Sequence, residues 1–348
     1  MKTENPLVSI IIVTYNNKDD IEECLDSILN QTYKNFEIIV VDNASKDGTP
    51  DIVQRKYPTV RLIRSPKNLG YAGGNALGLK FARGDYIVIL NPDTVVDKNW
   101  LRELVSVANM DDKVGIVGAC VLLYDRPDRI NALGNILHFT GLVFCNAFYE
   151  PYDKYKEKDH FLALPSGAAF LVKRKVIEEV GFMDEPFFME FSDTDFAVRA
   201  ILKDWRCIVT RNSIVHHKWK PKMTPERLFV LERNRLLLLM RTFNRRLLAI
   251  LLPSLLLTEL LILGFCLISG KQYLSAKIAS LKAILRLKKI YYDRDSRNVS
   301  YRNLMNYLDY KVCIPEGLIK LRSRKALQRL LSSVYRLLFT FSLKWFTN

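Results

Sequence analysis

The stretch YIVILNPD, residues 86–93, decides the fold because an apolar run of strand length ends there in a polar turn. Two earlier runs have the same form, VSIIIVT over residues 8–14 and FEIIVVD over residues 36–42. Continuous β-branched runs are typical of strands that are buried on both faces, as in parallel sheets. Ligands of open α/β sheets bind beyond the carboxyl ends of the strands. The polar residues that end these runs therefore predict a binding site at one edge of the sheet.

Helical periodicity follows the runs, so the chain alternates strand and helix. This alternation predicts an α/β fold with a Rossmann-like, mostly parallel sheet flanked by helices. The second half is less regular: residues 124–160 are interpreted as loops over the site, followed by a strand within 162–173 and another over 207–217. We expect helices over residues 21–29, 49–56, 72–82, 98–109, 174–180 and 192–203.

The positive charge is concentrated at the C-terminal end of the chain. The formal net charge is +15, and residues 271–348 contain 17 Lys and Arg against 4 Asp and Glu. A uniformly basic surface would favour nucleic acid, whereas a basic tail directly after an apolar stretch favours an anionic membrane surface. We therefore expect a membrane partner and no nucleic acid. The 6 cysteines include no Cys-x-x-Cys pair, which argues against a zinc site or a disulfide framework and fits a reducing compartment.

Residues 247–270 form an apolar stretch that is long enough to cross a membrane. As a helix they would reach about 36 Å, against about 30 Å for a bilayer core. Glu259 near the middle would cost on the order of a few kcal/mol if it faced lipid. Both flanks of the stretch are basic, and basic flanks prefer the cytoplasm. An interfacial hairpin bent at Pro253 keeps both flanks on that side of the membrane, whereas a single span does not. We expect monotopic or peripheral attachment to the cytoplasmic face of the membrane, with a single transmembrane span as the alternative.

Two motifs predict contacts with a nucleotide. Asp42 ends the second run, where a carboxylate can accept hydrogen bonds from a base or a ribose; a cap for the next helix is the alternative. Residues 68–75, NLGYAGGN, form a glycine-rich turn before a helix, whose exposed N–H groups favour a diphosphate. The spacing matches neither the dinucleotide-binding nor the P-loop pattern, so an ordinary tight turn is the alternative here.

Acidic residues and histidines predict metal and proton chemistry. The proline before Asp93 makes this carboxylate project beyond the sheet edge, where a cation bound to phosphate oxygens would lie; an Asx-turn is the alternative. Asp193 and Asp195 begin a helix, where they either complement its dipole or supply a general base in apolar surroundings. His216 and His217 end a strand, and an imidazole there could complete the site that Asp93 begins.

Taken together, the motifs resemble the inverting family 2 glycosyltransferases with the GT-A fold, especially the rhamnosyltransferase-like branch. The resemblance covers about residues 6–240, and the basic C-terminal region is similar to tails in that branch. It implies a GT-A catalytic domain over residues 1–240 and an apolar and basic helical membrane-association region over residues 241–348. The motifs that carry it are VTYN at 13–16, VDNASKDGT at 41–49, NLGYAGGN at 68–75, GD at 84–85, LNPD at 90–93, SGA at 166–168, GFMDE at 181–185, DTD at 193–195 and His216.

The resemblance implies a role for each matching residue. Asp93 would be the carboxylate that binds a divalent cation, Mg²⁺ or Mn²⁺, with His216 as a further ligand. Asp193 would be the general base. The chain departs from the family pattern just before Asp193 and just after His216, which leaves Asp195 as an alternative base and His217 as an alternative ligand. The nucleotide-sugar donor would be held by Thr14, Tyr15, Asn16, Asp42, Asn68, Asn75 and Asn91.

The resemblance implies hexosyl or rhamnosyl transfer from a nucleotide-diphosphate sugar to a hydroxyl. The membrane-seeking tail favours a polyprenyl-linked glycan acceptor, in cell-surface polysaccharide or glycoconjugate assembly. Two other functions compete, a sugar-nucleotide pyrophosphorylase and a non-catalytic protein that binds membrane or nucleic acid. A pyrophosphorylase should have a basic glycine-rich loop after the first strand, where this chain has TYNN over residues 14–17. The intact Asp42, Asp93 and Asp193 disfavour a non-catalytic protein.

Overall fold

The computed structural model of the chain describes residues 5–218, 222–291, 301–313 and 324–346. The chain folds into two compact units: Met1–Asn135 with Cys145–Lys220, and Ile136–Phe144 with Pro221–Asn348. The sequence placed a domain boundary at residue 240. The structure instead includes the helix that ends at Thr242 in the second unit, because this helix packs against a later helix of that unit.

The described residues form the following elements. The strands are β1 Val8–Thr14, β2 Phe36–Asp42, β3 Arg61–Arg64, β4 Tyr86–Leu90, β5 Thr94–Val96, β6 Val114–Leu123, β7 Arg126–Ala132, β8 Asn135–His138, β9 Val143–Cys145, β10 His160–Leu162, β11 Ala169–Lys173, β12 Arg206–His217 and β13 Leu308–Asp309. The helices are α1 Ile21–Leu29, α2 Thr49–Lys56, α3 Gly70–Leu79, α4 Trp100–Asn109, α5 Arg174–Val180, α6 Ser192–Ile201, α7 Pro225–Thr242, α8 Arg245–Ser269, α9 Lys271–Tyr291 and α10 Arg324–Phe346. Short 3₁₀ turns lie at Tyr152–Tyr155, Glu185–Phe187 and Leu304–Tyr307.

A ten-stranded mixed sheet organises the first unit. Its order is β10-β12-β6-β11-β4-β1-β2-β3, with β5 paired to β12 and β7 paired to β6. β1 to β4 are parallel where they pair with one another, and β11 is antiparallel to both β4 and β6. The predicted α/β architecture is confirmed. Because β1, β2 and β4 are parallel neighbours, the polar residues that follow them emerge at one edge of the sheet.

Both faces of the central strands are covered, as their continuous apolar runs require. Alternate β1 residues such as Ile10 join a core with α1 and α4, in which Trp100 is fully buried. The intervening residues face α3, and glycines at their contact points let this helix approach closely. A Cβ at Gly74 would lie 2.6 Å from the Val13 side chain, and one at Gly78 would lie 2.6 Å from Ile11. The small residues of α3 therefore set its distance from the sheet.

Two sequence expectations about the middle of the chain are wrong. Residues 124–160, predicted as loops, contain β7, β8 and β9. The strand predicted within 162–173 is limited to β11 in the last part of that range, and β10 ends at Leu162. β7 exposes its first residues and buries its last ones. Short strands of this kind at the margin of a sheet lack the continuous apolar run by which buried strands are recognised.

The second unit is mainly helical, with α7 to α10 and a small sheet of order β13-β8-β9. Among the described residues, α8 is the one helix that is long and apolar enough to cross a membrane. The expected bend at Pro253 is wrong, because α8 runs through this residue without interruption. The chain reverses at Gly270 instead, where φ is 111° and a glycine is favoured.

Candidate active site

The ends of β1 and β2 fix a buried carboxylate. Thr14 and Asp42 are register partners, and the Thr14 hydroxyl donates to Oδ1 of Asp42 at 3.3 Å. The backbone N–H of Ser45 donates to Oδ2 of the same carboxylate at 3.2 Å. Asp42 therefore holds the loop after β2. It does not cap the next helix, because the residue at the N-cap of α2 is Gly48.

Asn16 joins the loops that follow these two strands. Its backbone is left-handed, with φ at 59°, and its N–H donates to Oγ of Ser45 at 2.9 Å. Its side-chain Oδ1 accepts the N–H of Lys46 at 2.8 Å. The preceding residue, Tyr15, is 51% exposed. Asn16 thus fixes the loop after β1, and the adjacent Tyr15 ring is open to a ligand.

The glycine-rich turn begins α3 and lies against the loop after β2. Oδ1 of Asn68 accepts the N–H of Gly70 at 2.8 Å, and Nδ2 of Asn43 donates to the Gly70 carbonyl at 2.9 Å. Nδ2 of Asn75 donates to the Tyr71 carbonyl at 2.9 Å. Oδ1 of Asn43 and Oδ1 of Asn75 are buried and accept no hydrogen bond. A buried acceptor without a partner is costly, so both atoms are candidates to bind a donor group of a ligand.

Asp93 lies next to His217, which ends β12. Nε2 of His217 is 3.3 Å from Oδ1 of Asp93, and its Nδ1 is 3.3 Å from Oδ1 of Asn131. His216 faces away from this pair, and its Nε2 is 3.1 Å from Oδ1 of Asp97. Successive residues of a strand point to opposite faces, so one of the two imidazoles at most can face Asp93. The structure brings His217, and not His216, to that carboxylate.

The electrostatics of Asp93 favour its ionised form. Burial raises the pKa of this carboxyl, but the nearby His217 imidazole lowers it more, and the net pKa is below the ordinary value. The side chain is still 27% exposed. A carboxylate and an imidazole nitrogen are both suitable ligands for Mn²⁺. In the described part of the chain, no group of three or more His, Cys, Asp or Glu side chains is placed to hold a metal ion. A cation here would therefore need oxygen ligands from substrate or water, as Mg²⁺ and Mn²⁺ commonly have.

Asp193 is a buried carboxylate at the start of α6. Its side chain is held by the backbone N–H groups of Thr194 and Gly167, and a Cβ at Gly167 would lie 2.8 Å from its Oδ2. Burial raises the pKa of Asp193 to about 6, helped by the charge of Glu190 and opposed by the backbone hydrogen bonds. A carboxylate with a pKa near 6 is a suitable general base at neutral pH.

Asp195 has different surroundings from Asp193. Its Oδ2 accepts Nε of Arg199 at 2.8 Å, and it is only 1% exposed. The same guanidinium donates to the carbonyls of Val180 and Phe182. Asp195 therefore belongs to an ion pair that joins α6 to the end of α5, whereas no basic side chain accounts for the pKa of Asp193.

The segment 166–168 connects the base to the rest of the site. The Tyr71 hydroxyl donates to the Gly167 carbonyl at 2.6 Å, and the Asn91 N–H donates to the Ala168 carbonyl at 2.9 Å. One short segment thus contacts α3, the end of β4 and the carboxylate of Asp193. The structure therefore gathers the predicted residues Asp42, Asn68, Asn75, Asn91, Asp93 and Asp193 around the carboxyl edge of the sheet.

Sequence reasoning missed several contributors to this site. Asn43, Tyr71 and Gly167 stand inside the quoted motifs, but their roles depend on contacts with distant residues. Asn131 lies in the region that was predicted as loop, and no sequence signal marked it.

Comparison with known protein families gives a match over about half of this chain. A model of the family "Glycosyl transferase family 2" matches residues 9–181, from β1 to the end of α5. The chain contains a family 2 glycosyltransferase domain. The matched part of this domain includes Asp42 and Asp93, whereas Asp193 and His217 lie beyond it.

Relatives of this glycosyltransferase domain differ in how much of their length it matches. An N-acetylglucosaminyl-diphospho-decaprenol L-rhamnosyltransferase of Mycobacterium tuberculosis is 25% identical over 236 residues, which is 61% of this chain and 76% of the relative. The uncharacterized protein y4gI of Sinorhizobium fredii is 28% identical over 229 residues, 62% of this chain but only 24% of that protein. A mannosyltransferase of Pyrobaculum calidifontis, solved with GDP-Man and Mn²⁺, has a TM-score of 0.53 at 20% identity and covers 84% of this chain and 89% of its own. The likeness to that structure confirms the GT-A fold.

Proposed function

We propose that this chain transfers a sugar from a nucleotide-diphosphate donor to a hydroxyl acceptor by a single inverting displacement. The observation that carries the proposal is the position of two carboxylates at the carboxyl edge of the sheet. Asp93 follows β4 and lies 3.3 Å from His217, and the segment 166–168 links the end of β4 to the buried Asp193. Burial also raises the pKa of Asp193 to about 6, which suits an acid that moves protons.

The chemistry assigned to the chain is proton removal. The Asp193 carboxylate takes the proton of the acceptor hydroxyl as its oxygen bonds to the anomeric carbon of the donor. The bond from that carbon to the diphosphate breaks, and its electron pair leaves with the nucleoside diphosphate. Attack from the face opposite the leaving group inverts the configuration. The Gly167 N–H orients the carboxylate throughout.

The proposed donor site follows from the groups at the sheet edge. Asp42 and the exposed ring of Tyr15 would contact the nucleoside, next to the unpartnered amide oxygens of Asn43 and Asn75. Asp93 and His217 would hold Mg²⁺ or Mn²⁺, with His217 in the role that the family resemblance implies for His216. When bound, such a cation neutralises negative charge on the leaving diphosphate.

The acceptor is proposed from the second unit and from one relative. The M. tuberculosis relative is named for a diphospho-decaprenol acceptor, and α8 of this chain is apolar enough for a membrane. We therefore propose a polyprenyl-linked glycan acceptor at the cytoplasmic face of the membrane, with a hexose or rhamnose as the transferred sugar. Nucleic acid is not a proposed partner, since the basic residues are concentrated beside apolar helices.

A donor panel tests this function. UDP-, GDP- and dTDP-sugars are scored by thermal shift with and without Mn²⁺, and the best donor is then tested for transfer to an N-acetylglucosaminyl-diphospho-polyprenol. We expect one donor class to raise the melting temperature in a Mn²⁺-dependent way and to be consumed only with acceptor. The rival pyrophosphorylase would instead release pyrophosphate from a nucleoside triphosphate and a sugar 1-phosphate, and that product would contradict the proposal.

A further inference from the structure

Four charged side chains form a closed cluster inside the second unit. Arg235 of α7 pairs with both Glu232 of α7 and Glu259 of α8, and Lys277 of α9 pairs with the same two carboxylates. Oε2 of Glu259 is 2.6 Å from Nζ of Lys277. Glu232, Arg235 and Lys277 are almost fully buried. We call these four side chains the ion square. Each of them forms ion pairs with two side chains of the opposite charge.

The ion square joins two antiparallel helices. α9 runs back along α8 after the turn at Gly270. Two contacts show this: the rings of Phe265 and Tyr273 lie 5.8 Å apart near the turn, and Glu259 pairs with Lys277 further from it. A half-open groove of about 340 Å³ lies between the two helices. Most of its lining is aliphatic and consists of Leu256, Leu260, Leu263, Leu274, Ile278 and Leu281; the paired Glu259 and Lys277 complete it.

The two sides of α8 have opposite surroundings. One side, which includes Leu251, Ser254, Thr258 and Cys266, is buried in the unit. The other side is a stripe of exposed leucines with helical spacing, and Leu260 in its middle is 66% exposed. This leucine stripe consists of Leu252, Leu256, Leu260, Leu263 and Leu267. α10 exposes a similar row at Leu330, Val334, Leu337 and Phe341.

We infer that α8 lies in the plane of one leaflet of an anionic membrane, with the leucine stripe and the groove facing the acyl chains and both helix ends at the headgroups. If α8 crossed the bilayer, α9 would enter the bilayer too, since the two helices pack against each other from the turn to Lys277 and beyond. α9 has six Lys and Arg residues, and Lys282 and Arg286 are exposed. The insertion cost of these cations makes a span unfavourable.

The charges around the stripe specify which surface covers it. Arg245 and Arg246 begin α8, and Lys271 follows its last turn. Basic residues at both ends of an apolar stripe match the anionic headgroups of one leaflet, whereas a second copy of the chain would oppose like charges. The inference deepens the membrane attachment proposed above and names the contact surface.

Vesicle binding tests the stripe without any donor or acceptor. Purified full-length protein is mixed with vesicles of phosphatidylglycerol and phosphatidylcholine, or of phosphatidylcholine alone. The variant L252S/L256S/L260S should lose at least about tenfold in partitioning to the anionic vesicles. The matched control is Leu162→Ser, at a 46% exposed leucine of β10, which should bind like wild type. Unchanged melting temperatures show that both variants fold.

Cysteine labelling tests the topology. With Cys145 and Cys313 replaced by serine, Arg245→Cys and Ser269→Cys place a thiol at each end of α8. An impermeant maleimide should label both from the cytoplasmic side of membrane vesicles, and Leu260→Cys from neither side. Labelling of the two ends from opposite sides would show a span and overturn the inference.

Equal vesicle binding by the triple variant, or a stripe-dependent dimer that binds no vesicles, would also overturn it. Sugar transfer measured in detergent with a short-chain acceptor is a separate readout, so the proposed function can fail independently.

Discussion

Nε2 of His217 lies 3.3 Å from Oδ1 of Asp93, while the adjacent His216 is directed to Asp97. The alternation of side chains along β12 produces this difference, so the two histidines are not equivalent despite being neighbours. The pair joins the turn after β4 to the end of β12, which are far apart in sequence, and it combines an oxygen and a nitrogen ligand at the edge of the sheet. It is therefore the candidate metal site.

His217→Ala should weaken metal-dependent donor binding. Removal of one of two protein ligands should raise the Mn²⁺ concentration needed for half-maximal donor binding by about tenfold to a hundredfold, the scale seen even for indirect partners of metal sites. Isothermal titration with donor at several Mn²⁺ concentrations measures this. His216→Ala is the matched control and should change the requirement by less than about threefold, because its partner is an exposed carboxylate. A larger increase in the required Mn²⁺ concentration for His216→Ala than for His217→Ala would assign the metal ligand to His216.

Asp193→Asn should stabilise the fold at pH 8. The pKa of Asp193 is about 6 in the folded chain, against about 4 for an exposed aspartate. Between these values the folded state binds more protons than the unfolded state, so stability falls as the pH rises through this window. A shift of two units corresponds to about 3 kcal/mol, which sets the upper limit of the gain from removing the charge. Thermal melts should show a gain at pH 8 that disappears near pH 4; a less stable variant at pH 8 would contradict the buried-base assignment.

Asp195→Asn should reduce stability more than it reduces chemistry. The change leaves the largely buried Arg199, which is 15% exposed, without its carboxylate, and breaking a buried pair costs up to about 3 kcal/mol. The melting temperature should therefore fall, while folded enzyme at low temperature keeps most of its transfer rate. Loss of transfer without loss of stability would make Asp195 the base instead of Asp193.

The central strands and the motifs after them could be predicted from the sequence because their signals are local. An apolar run such as that of β4 must be buried on both faces, and the residue that ends it must lie at the sheet edge. For Asp193 the sequence allows either a general base in apolar surroundings or a residue that complements the helix dipole, and the choice depends on burial against Gly167 from another loop. The choice between His216 and His217 depends on which face of β12 is turned to Asp93, and that is set by strand pairing.

The surroundings of α8 also depend on contacts with residues that are distant in sequence. Hydropathy marks the helix, but it cannot show that Glu259 is neutralised by Arg235 and Lys277, which lie on other helices. The cost of a lone charge in lipid therefore does not apply to this carboxylate. Residue type alone favours a bend at Pro253, whereas the packing of α9 on α8 places the reversal at Gly270.

Lys277→Met should destabilise the second unit, and a second change should restore it. Loss of the ammonium leaves Glu232 and Glu259 with one buried cation between them, at a cost of about 3–5 kcal/mol. The double variant K277M/E259Q again has one buried carboxylate and one guanidinium, so most of that loss should be recovered. Thermal melts in detergent measure both variants. A double variant as unstable as Lys277→Met would show that the ion square does not act as a unit.

The base assignment is tested most directly by the single-turnover rate of sugar transfer in Asp193→Asn, measured beside donor affinity from pH 5 to 8. In the wild type the rate should rise through pH 6 and level off as Asp193 ionises. The variant should bind donor with the wild-type affinity but lose at least about a hundredfold in transfer rate, with no rise near pH 6. A variant that transfers at the wild-type rate, or keeps the same pH profile, would contradict the account.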